Sequence, residues 1–257
     1  MKIFTSTLLL ATLAISCNVL AADAKPDGKW RGSGGAAASI SSGNTRSDTV
    51  NFTADGAKET TQDKLSLYSQ MLRSHSESAG VKSTTANQWK LGTRYDYNIS
   101  AMTFGFGGLD FSSDELQSLT MRSVVSTGLG HHLVKTSEDM FDVFGGISYR
   151  ADRYISPGVM IDKQLKTRFN TAELLLGEES NHKLTENTTF KQRLAINPNL
   201  GSSKGYRATF DAALLVAINK TMSLTVSVQD RYNSVAVAPV QKNDFTLFTG
   251  VNVKFSG

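Results

Sequence analysis

The chain has 257 residues, and its 27 Lys or Arg against 23 Asp or Glu give a formal charge of +4. One Cys excludes an intramolecular disulfide and a Cys-rich zinc site, and four His leave little room for a His-based metal cluster. A charged fraction of 19% with an apolar fraction of 40% excludes a disordered chain, and so small a net charge is not that of a nucleic-acid binder.

The N-terminal residues have the order of a secretory signal peptide. Lys2 supplies the positive start, residues 3–15 form an apolar run, and small residues follow. We therefore expect a signal peptide over residues 1–21, cleaved somewhere in 21–24. Lipidation at Cys17 is disfavoured, because the Ala-Ile-Ser that precedes it is a poor lipobox.

After a short periplasmic segment at 22–28, we expect a single domain over residues 29–257. Beyond residue 25 no apolar run approaches the ~18 residues of a transmembrane helix. Apolar and polar residues instead alternate with a period of two, which is typical of β-strands with one apolar face. The alternating segments are 29–41, 47–58, 63–75, 86–98, 101–113, 118–134, 138–151, 167–181, 186–199, 204–219, 221–233 and 244–255.

The length and the faces of these segments favour a transmembrane barrel over a soluble β-sandwich or lipocalin-like barrel. Soluble strands usually have about five or six residues, whereas a transmembrane strand needs ~9–11, which is the length seen here. The apolar faces, such as Trp89, Leu91 and Tyr95 in the fourth segment, carry no Lys, Arg, Asp or Glu. That absence is expected of a lipid-facing surface, where a basic residue costs about 2–4 kcal/mol at the bilayer centre.

The connections between segments give a second argument. Odd-numbered connections include the long stretches 76–85, 152–166 and 234–243, whereas the even-numbered ones are mostly tight. Long extracellular loops alternating with short periplasmic turns are typical of outer-membrane barrels, and an even strand number places both termini on the periplasmic side. The predicted fold is all-β: one up-and-down antiparallel transmembrane β-barrel of about twelve strands in the cell outer membrane.

Two segments depart from strict alternation. In the fifth, Leu109 falls out of phase with Phe104 and Phe106, and a β-bulge at Gly107-Gly108 would account for the change. In the ninth, Gln192 interrupts an otherwise apolar face.

The end of the chain resembles a barrel-assembly signal. Residues 248–255 are similar to the C-terminal β-signal that the barrel-assembly machinery reads, and Gly250, Val253 and Phe255 carry the match. The resemblance implies that this machinery is a partner of the chain. Outer-membrane lipid and lipopolysaccharide are the other partners expected of such a barrel, and nucleic acid is not.

Several further stretches resemble the YdiY-like family of salt-induced outer-membrane proteins. These stretches are Ser42–Thr45, Leu91–Ser100, Thr127–Gly130, His182–Thr188 and Lys242–Phe255. The resemblance implies an outer-membrane β-barrel linked to salt or envelope stress. It implies no established substrate and no catalytic residues.

No catalytic, cofactor-binding or metal-binding residues are predicted. His131 and His132 end the sixth segment on the periplasmic side, whereas known barrel enzymes act on the outer leaflet or outside. We interpret both as residues at the membrane interface. A barrel enzyme acting on lipid or peptide is the second alternative function. Asp110, Asp114 and Glu115 are interpreted as a hydrated loop, because three oxygen donors without a dedicated loop are a weak Ca²⁺ signal.

The inward, polar face is where a function is expected. Its basic residues are Lys64, Lys90, Arg94, Arg122, Arg150, Lys191, Arg193, Arg207, Arg231 and Lys254, and its acidic residues are Asp55, Asp96, Asp142, Glu173 and Asp211. The lumen-facing site candidates among them are Lys90, Arg94, Asp96, Arg122, Asp142, Glu173, Lys191, Arg193 and Asp211. Ten basic against five acidic residues would favour anions in a water-filled pore.

The predicted function is therefore an outer-membrane barrel linked to envelope stress that forms a narrow pore for small, mainly anionic solutes. The first alternative is a structural or adhesive barrel that acts through its extracellular loops. In that alternative the inward charges pair across the interior and fill it. A barrel of about twelve strands is intermediate between packed eight-strand barrels and open sixteen-strand channels, so strand number does not decide between the two.

Overall fold

Twelve long antiparallel strands and one short hairpin make up the computed structural model, which describes residues 26–41, 45–78, 80–161, 163–201, 205–235 and 242–256. The long strands are β1 (Trp30–Ser41), β2 (Thr45–Glu59), β3 (Asp63–Ser78), β4 (Val81–Asn98), β5 (Thr103–Asp114), β6 (Leu119–Lys135), β7 (Asp139–Tyr154), β10 (Arg168–Lys183), β11 (Thr188–Pro198), β12 (Tyr206–Ala217), β13 (Met222–Asn233) and β14 (Asn243–Ser256). The hairpin is β8 (Val159–Ile161) with β9 (Gln164–Lys166). The predicted signal peptide, its cleavage site and Cys17 lie outside the described residues.

The long strands close into one barrel. Each pairs with its neighbours in the chain, and β7 pairs with β10 across the hairpin. Closure comes from β1 and β14, which pair from Arg31 opposite Ser256 to Ala36 opposite Val251. Closure gives each long strand a hydrogen-bonded neighbour on both sides, so the sheet has no free edge strand. The predicted fold class, a closed antiparallel barrel of twelve strands, is confirmed.

The barrel is apolar outside and polar inside. Phe52, Met71, Leu129 and Ile147 are each more than half exposed on the exterior. The buried residues include many polar and charged side chains, among them Asp152 and others that face the lumen. Period-two alternation on a closed sheet makes this division unavoidable, and it is the reverse of the arrangement in a soluble barrel.

The bulge expected at Gly107-Gly108 is absent from β5. The β4–β5 register runs without a shift from Asn98 opposite Phe104 to the outer end of β5. Phe104 is 2% exposed inside the barrel and Leu109 is 42% exposed outside it, so the alternation never breaks. The prediction was wrong because it assigned the apolar residues of β5 to one face, whereas they occupy both. The register shifts of β5 and β6 lie nearer the strand ends, as between His132 and Val134.

The expected alternation of long and short connections holds only in the second half of the chain. Residues 76–85, predicted as a loop, belong mostly to β3 and β4, which end and begin at Ser78 and Val81. The connection 155–167 is long and contains the β8–β9 hairpin. Polar residues beyond the alternating apolar part of a strand extend its ladder as readily as they form a loop. Within the described ranges, no helix has the length and apolar character needed to cross a membrane.

Candidate functional site: the barrel lumen

All nine lumen candidates lie on the inner face of the strands that carry them. They alternate with outward-facing residues, as Arg94 does with the exposed Tyr95. Arg94, Asp142, Glu173 and Lys191 are buried among other side chains. The structure groups most of the nine into two networks, one nearer the end that holds the termini and one nearer the hairpin end.

The network nearer the termini contains an ion pair that crosses the lumen. Arg94 on β4 and Glu179 on β10 are separated by β5, β6 and β7 around the wall. Arg94 Nη1 nevertheless lies 3.4 Å from Glu179 Oε2, and Arg94 Nε donates to Asp96 Oδ1 at 2.7 Å. Arg193 Nη1 approaches the same Glu179 oxygen at 3.5 Å. One buried carboxylate therefore joins two arginines from opposite sides of the interior.

Three phenylalanine rings surround the Arg94 guanidinium. Its centre lies 5.7, 4.8 and 5.3 Å from the ring centroids of Phe104, Phe106 and Phe144. Phe106 and Phe144 meet edge to face at 5.9 Å. Such cation–π contacts strengthen when they are removed from water. We call Arg94, Glu179 and these three phenylalanines the Arg94 cluster, and it fills the lumen beside β4–β7 and β10.

Glycines on the inner wall make room for these rings. A Cβ at Gly130 would overlap the ring of Phe104, and a Cβ at Gly177 would lie 2.5 Å from Cζ of Phe144. Any other residue at these two inward-facing positions would project a side chain into the space that the rings occupy. The aromatic rings therefore lie directly on the backbone of the opposite or neighbouring strand.

The second network lies nearer the hairpin end. Arg122 donates to Asp152 through two nitrogens, at 2.7 and 2.9 Å, and Tyr154 donates to the same carboxylate at 2.9 Å. Arg207 donates to Glu173 at 2.6 Å. Arg150 lies between the two carboxylates, with its Nε 3.4 Å from Glu173 and 3.7 Å from Asp152. We call these residues the outer network.

Three further candidates, Lys90, Asp211 and Lys191, belong to neither network. Lys90 has its ammonium group 5.0 Å from the centroid of the Tyr68 ring. Asp211 accepts a hydrogen bond of 2.6 Å from Gln229. Lys191 is buried within the lumen.

The count of inward charges that predicted a basic excess left out four carboxylates on the inner face. These are Glu59, Asp110, Asp152 and Glu179. At least six of the ten predicted basic residues have a carboxylate within 4.0 Å, and these include Lys64, Arg94, Arg122, Arg150, Arg193 and Arg207. Glu179 was missed because β10 contains three consecutive leucines, then Gly177, then two consecutive glutamates. Its residues therefore do not alternate strictly between apolar and polar, and the sequence does not show which of them face inward. Asp152 and Asp110 were both assigned to loops, whereas they lie within β7 and β5 on the inner face.

His132 is not an interfacial residue. It is 8% exposed inside the barrel, with Nδ1 2.7 Å from Asp142 Oδ1 and its ring 4.9 Å from that of Phe104. His131, the preceding residue, is exposed on the exterior, where its Nδ1 lies 3.3 Å from the hydroxyl of Thr103. Adjacent strand residues point to opposite faces, so the two histidines cannot share one environment.

A solvent-open recess leads from the terminus-bearing end toward the Arg94 cluster. Its lining includes Glu59, Lys64, Asp96, His132, Asp142 and Glu179. Arg94 and Phe104 also border it, so the recess ends at the cluster. Among the described residues, no group of three His, Cys, Asp or Glu is placed to hold a metal ion.

The predicted assembly-signal residues lie on the closing strand, β14. Val253 and Phe255 face outward and are 45% and 60% exposed. Gly250 is opposite Thr225 of β13. Because β14 pairs with both β13 and β1, this strand completes the barrel.

Comparison with known proteins gives one family and a set of similar architectures. A family described as "Protein of unknown function, DUF481" matches residues 34–255. No curated protein matches the chain. Among solved structures, the translocator domain of the autotransporter NalP from Neisseria meningitidis is 11% identical, with a TM-score of 0.48, over 91% of this chain and 90% of that one. An outer membrane channel from Pseudomonas putida F1 is 10% identical, with a TM-score of 0.48, over 94% and 99% of the two chains.

Proposed function

The chain belongs to the DUF481 family of proteins of unknown function, and we propose that it is an outer-membrane barrel whose lumen forms a narrow pore, constricted by the Arg94 cluster. The observation that carries the proposal is the contact of 3.4 Å between Arg94 and Glu179 across the lumen. A side-chain contact between β4 and β10, which are three strands apart around the wall, limits the free cross-section at that level. Any passage must then run beside the cluster.

The outer-membrane placement is supported by the exterior of the barrel. Large apolar side chains such as Phe52, Leu91 and Ile147 are exposed there, and an exposed apolar surface of this extent needs a lipid environment. The predicted signal peptide is in keeping with export to the outer membrane. A barrel placed there would contact lipopolysaccharide and would be inserted by the barrel-assembly machinery.

A polar wall opposite the Arg94 cluster offers the path. Ser223 and Thr225 on β13, which is separated from β4 by β14, β1, β2 and β3, point inward, are buried, and have hydroxyls without a hydrogen-bond partner among the described residues. Buried hydroxyls generally require a partner. Water or a small polar solute beside this wall would supply it.

Selectivity for anions is expected to be weak. The paired carboxylates described above remove most of the positive excess on which a strong preference would depend. Lys90 is a basic residue in the middle of the lumen, and its ammonium group lies over the ring of Tyr68. We propose that it biases the passage toward small anions.

Planar-bilayer recording tests the pore. Refolded protein is expected to give small, discrete conductance steps, with a reversal potential only slightly on the anion side under a salt gradient. Folding is verified independently by the change in gel mobility on heating. Silence from folded protein would contradict the pore.

The second candidate function is a plugged structural or adhesive barrel. The observation that favours it is the ion-paired lumen, together with the exposed Met160 and Leu165 on the β8–β9 hairpin. Silent bilayers combined with binding of cells or matrix that is lost on deleting the hairpin would support this function.

The link to salt or envelope stress rests on the sequence resemblance. A strain lacking the gene is expected to grow more slowly than its parent at raised salt, and expression of the intact chain is expected to restore growth. Equal growth of the two strains would contradict the link.

A further inference from the structure

Two arginines face each other on the exterior of the barrel at its hairpin end. Arg153 on β7 and Arg168 on β10 are direct partners in the β7–β10 ladder. Both belong to the outward-facing set of their strands and both side chains are exposed. Directly opposed like charges on one face of a sheet destabilise it. Neither arginine forms an ion pair with any described residue, so the described part of the chain supplies no counterion there.

The height of this pair matches a lipid headgroup. Tyr149, which is 53% exposed on the same face of β7, marks the aromatic girdle. Arg153 lies four residues further along the strand, which is about 10 Å along the membrane normal for a rise of ~3.4 Å per residue and a tilt near 40°. The next outward-facing pair along the ladder is Ala151 and Asn170, and neither carries a charge.

We propose that Arg153 and Arg168 form an exterior binding site for a phosphate group of an outer-leaflet glycolipid. The inference rests on the proposed outer-membrane placement and names a site within it. Guanidinium groups bind phosphate with paired, charge-assisted hydrogen bonds, and one phosphate between two arginines also removes their mutual repulsion. A lipid-borne phosphate is favoured over free phosphate, because the pair directly adjoins the lipid-facing surface.

Arg73 provides a matched control. It is an exposed, outward-facing arginine on β3, and its cross-strand partners are Val50 and Asn87 rather than a second arginine. Its Nε donates to His75 at 3.2 Å. Arg73→Gln therefore removes one exterior charge without removing an opposed pair.

The test measures binding of lipid A to the folded barrel by native mass spectrometry, using the phosphorylated glycolipid, the same glycolipid after removal of its phosphates, and inorganic phosphate as a competitor. The wild type is expected to retain phosphorylated lipid A at least about tenfold more tightly than the Arg153→Gln/Arg168→Gln double variant. Arg73→Gln is expected to bind as the wild type does. Heat-modifiable gel mobility confirms that each variant is folded.

Equal binding by the double variant, or equal binding of the dephosphorylated lipid, would overturn the inference. Inorganic phosphate that binds the pair as tightly as the lipid does would overturn the lipid source. Failure of the wild type to enter vesicles would contradict the membrane placement itself. Insertion without phosphate-dependent binding would contradict only the site.

Discussion

Arg94 and Glu179 are 85 positions apart in the chain, yet their side chains meet at 3.4 Å across the barrel interior. The contact is buried, with side-chain exposures of 11% and 8%. It joins two strands that share no backbone hydrogen bonds. The pair therefore braces the barrel wall as well as narrowing the lumen.

Replacing Glu179 by Gln is expected to destabilise the barrel. The change leaves Arg94 and Arg193 without their shared carboxylate, and breaking a buried ion pair costs about 3 kcal/mol or more. Urea unfolding in lipid vesicles measures the loss. Glu178→Gln is the control, since Glu178 precedes Glu179 but faces outward, where it accepts a hydrogen bond of 3.2 Å from Gln192. Equal stability of the two variants would contradict the bracing role.

Replacing Gly130 by Ala is expected to cost about 1–3 kcal/mol, as overpacking does in a filled core. The added Cβ would overlap the Phe104 ring, which lies on the backbone at this position. Gly107→Ala is the control, because a Cβ there meets nothing within 4 Å. Thermal unfolding followed by gel mobility compares the two. Similar transition temperatures would show that the Phe104 ring is free to move aside.

Replacing Arg122 by Gln is expected to shift the reversal potential toward cations. Asp152 then loses its bidentate partner and adds negative charge to the lumen. Arg153→Gln removes the same charge from the exterior and is expected to leave the reversal potential unchanged. An equal shift in both variants would mean that surface charge, rather than lumen charge, sets the selectivity.

Replacing Phe255 by Ala is expected to reduce the amount of folded barrel in cells, because the resemblance to the assembly signal places the aromatic residue there. Phe245→Ala is the control, because Phe245 is also on β14 and is equally exposed, at 62% against 60% for Phe255. It tests whether the loss of any exposed phenylalanine of this strand has the same effect. Immunoblots of heated and unheated outer membranes give the folded fraction. Equal loss in both variants would argue for lipid contact instead of recognition.

The sequence was sufficient for the barrel because alternation and strand length depend on local pattern alone. Every predicted segment corresponds to one long strand, with most ends shifted by a few residues. Lumen residues on clean segments, such as Arg94 and Asp142, were found for the same reason. The pattern fails where polarity repeats in adjacent positions, as at Glu178 and Glu179.

The contacts across the lumen lay beyond sequence reasoning. Which inward residue meets which depends on how the closed sheet brings distant strands face to face, and no local pattern records this. Phe104 illustrates the difficulty, since an apolar residue of a barrel strand is normally assigned to the lipid side. Its place inside depends on Gly130 of the next strand, which leaves room for its ring.

Single-channel conductance of the wild type and of an Arg94→Ala/Glu179→Ala double variant tests the central claim most directly. Removing both side chains opens the constriction, and it leaves one acidic and one basic former partner, Asp96 and Arg193, in the lumen. The expected result is small steps for the wild type and clearly larger steps for the double variant, from protein shown to be folded by its heat-modifiable mobility. Steps of the same size in both, or no current from either, would contradict a pore constricted at the Arg94 cluster.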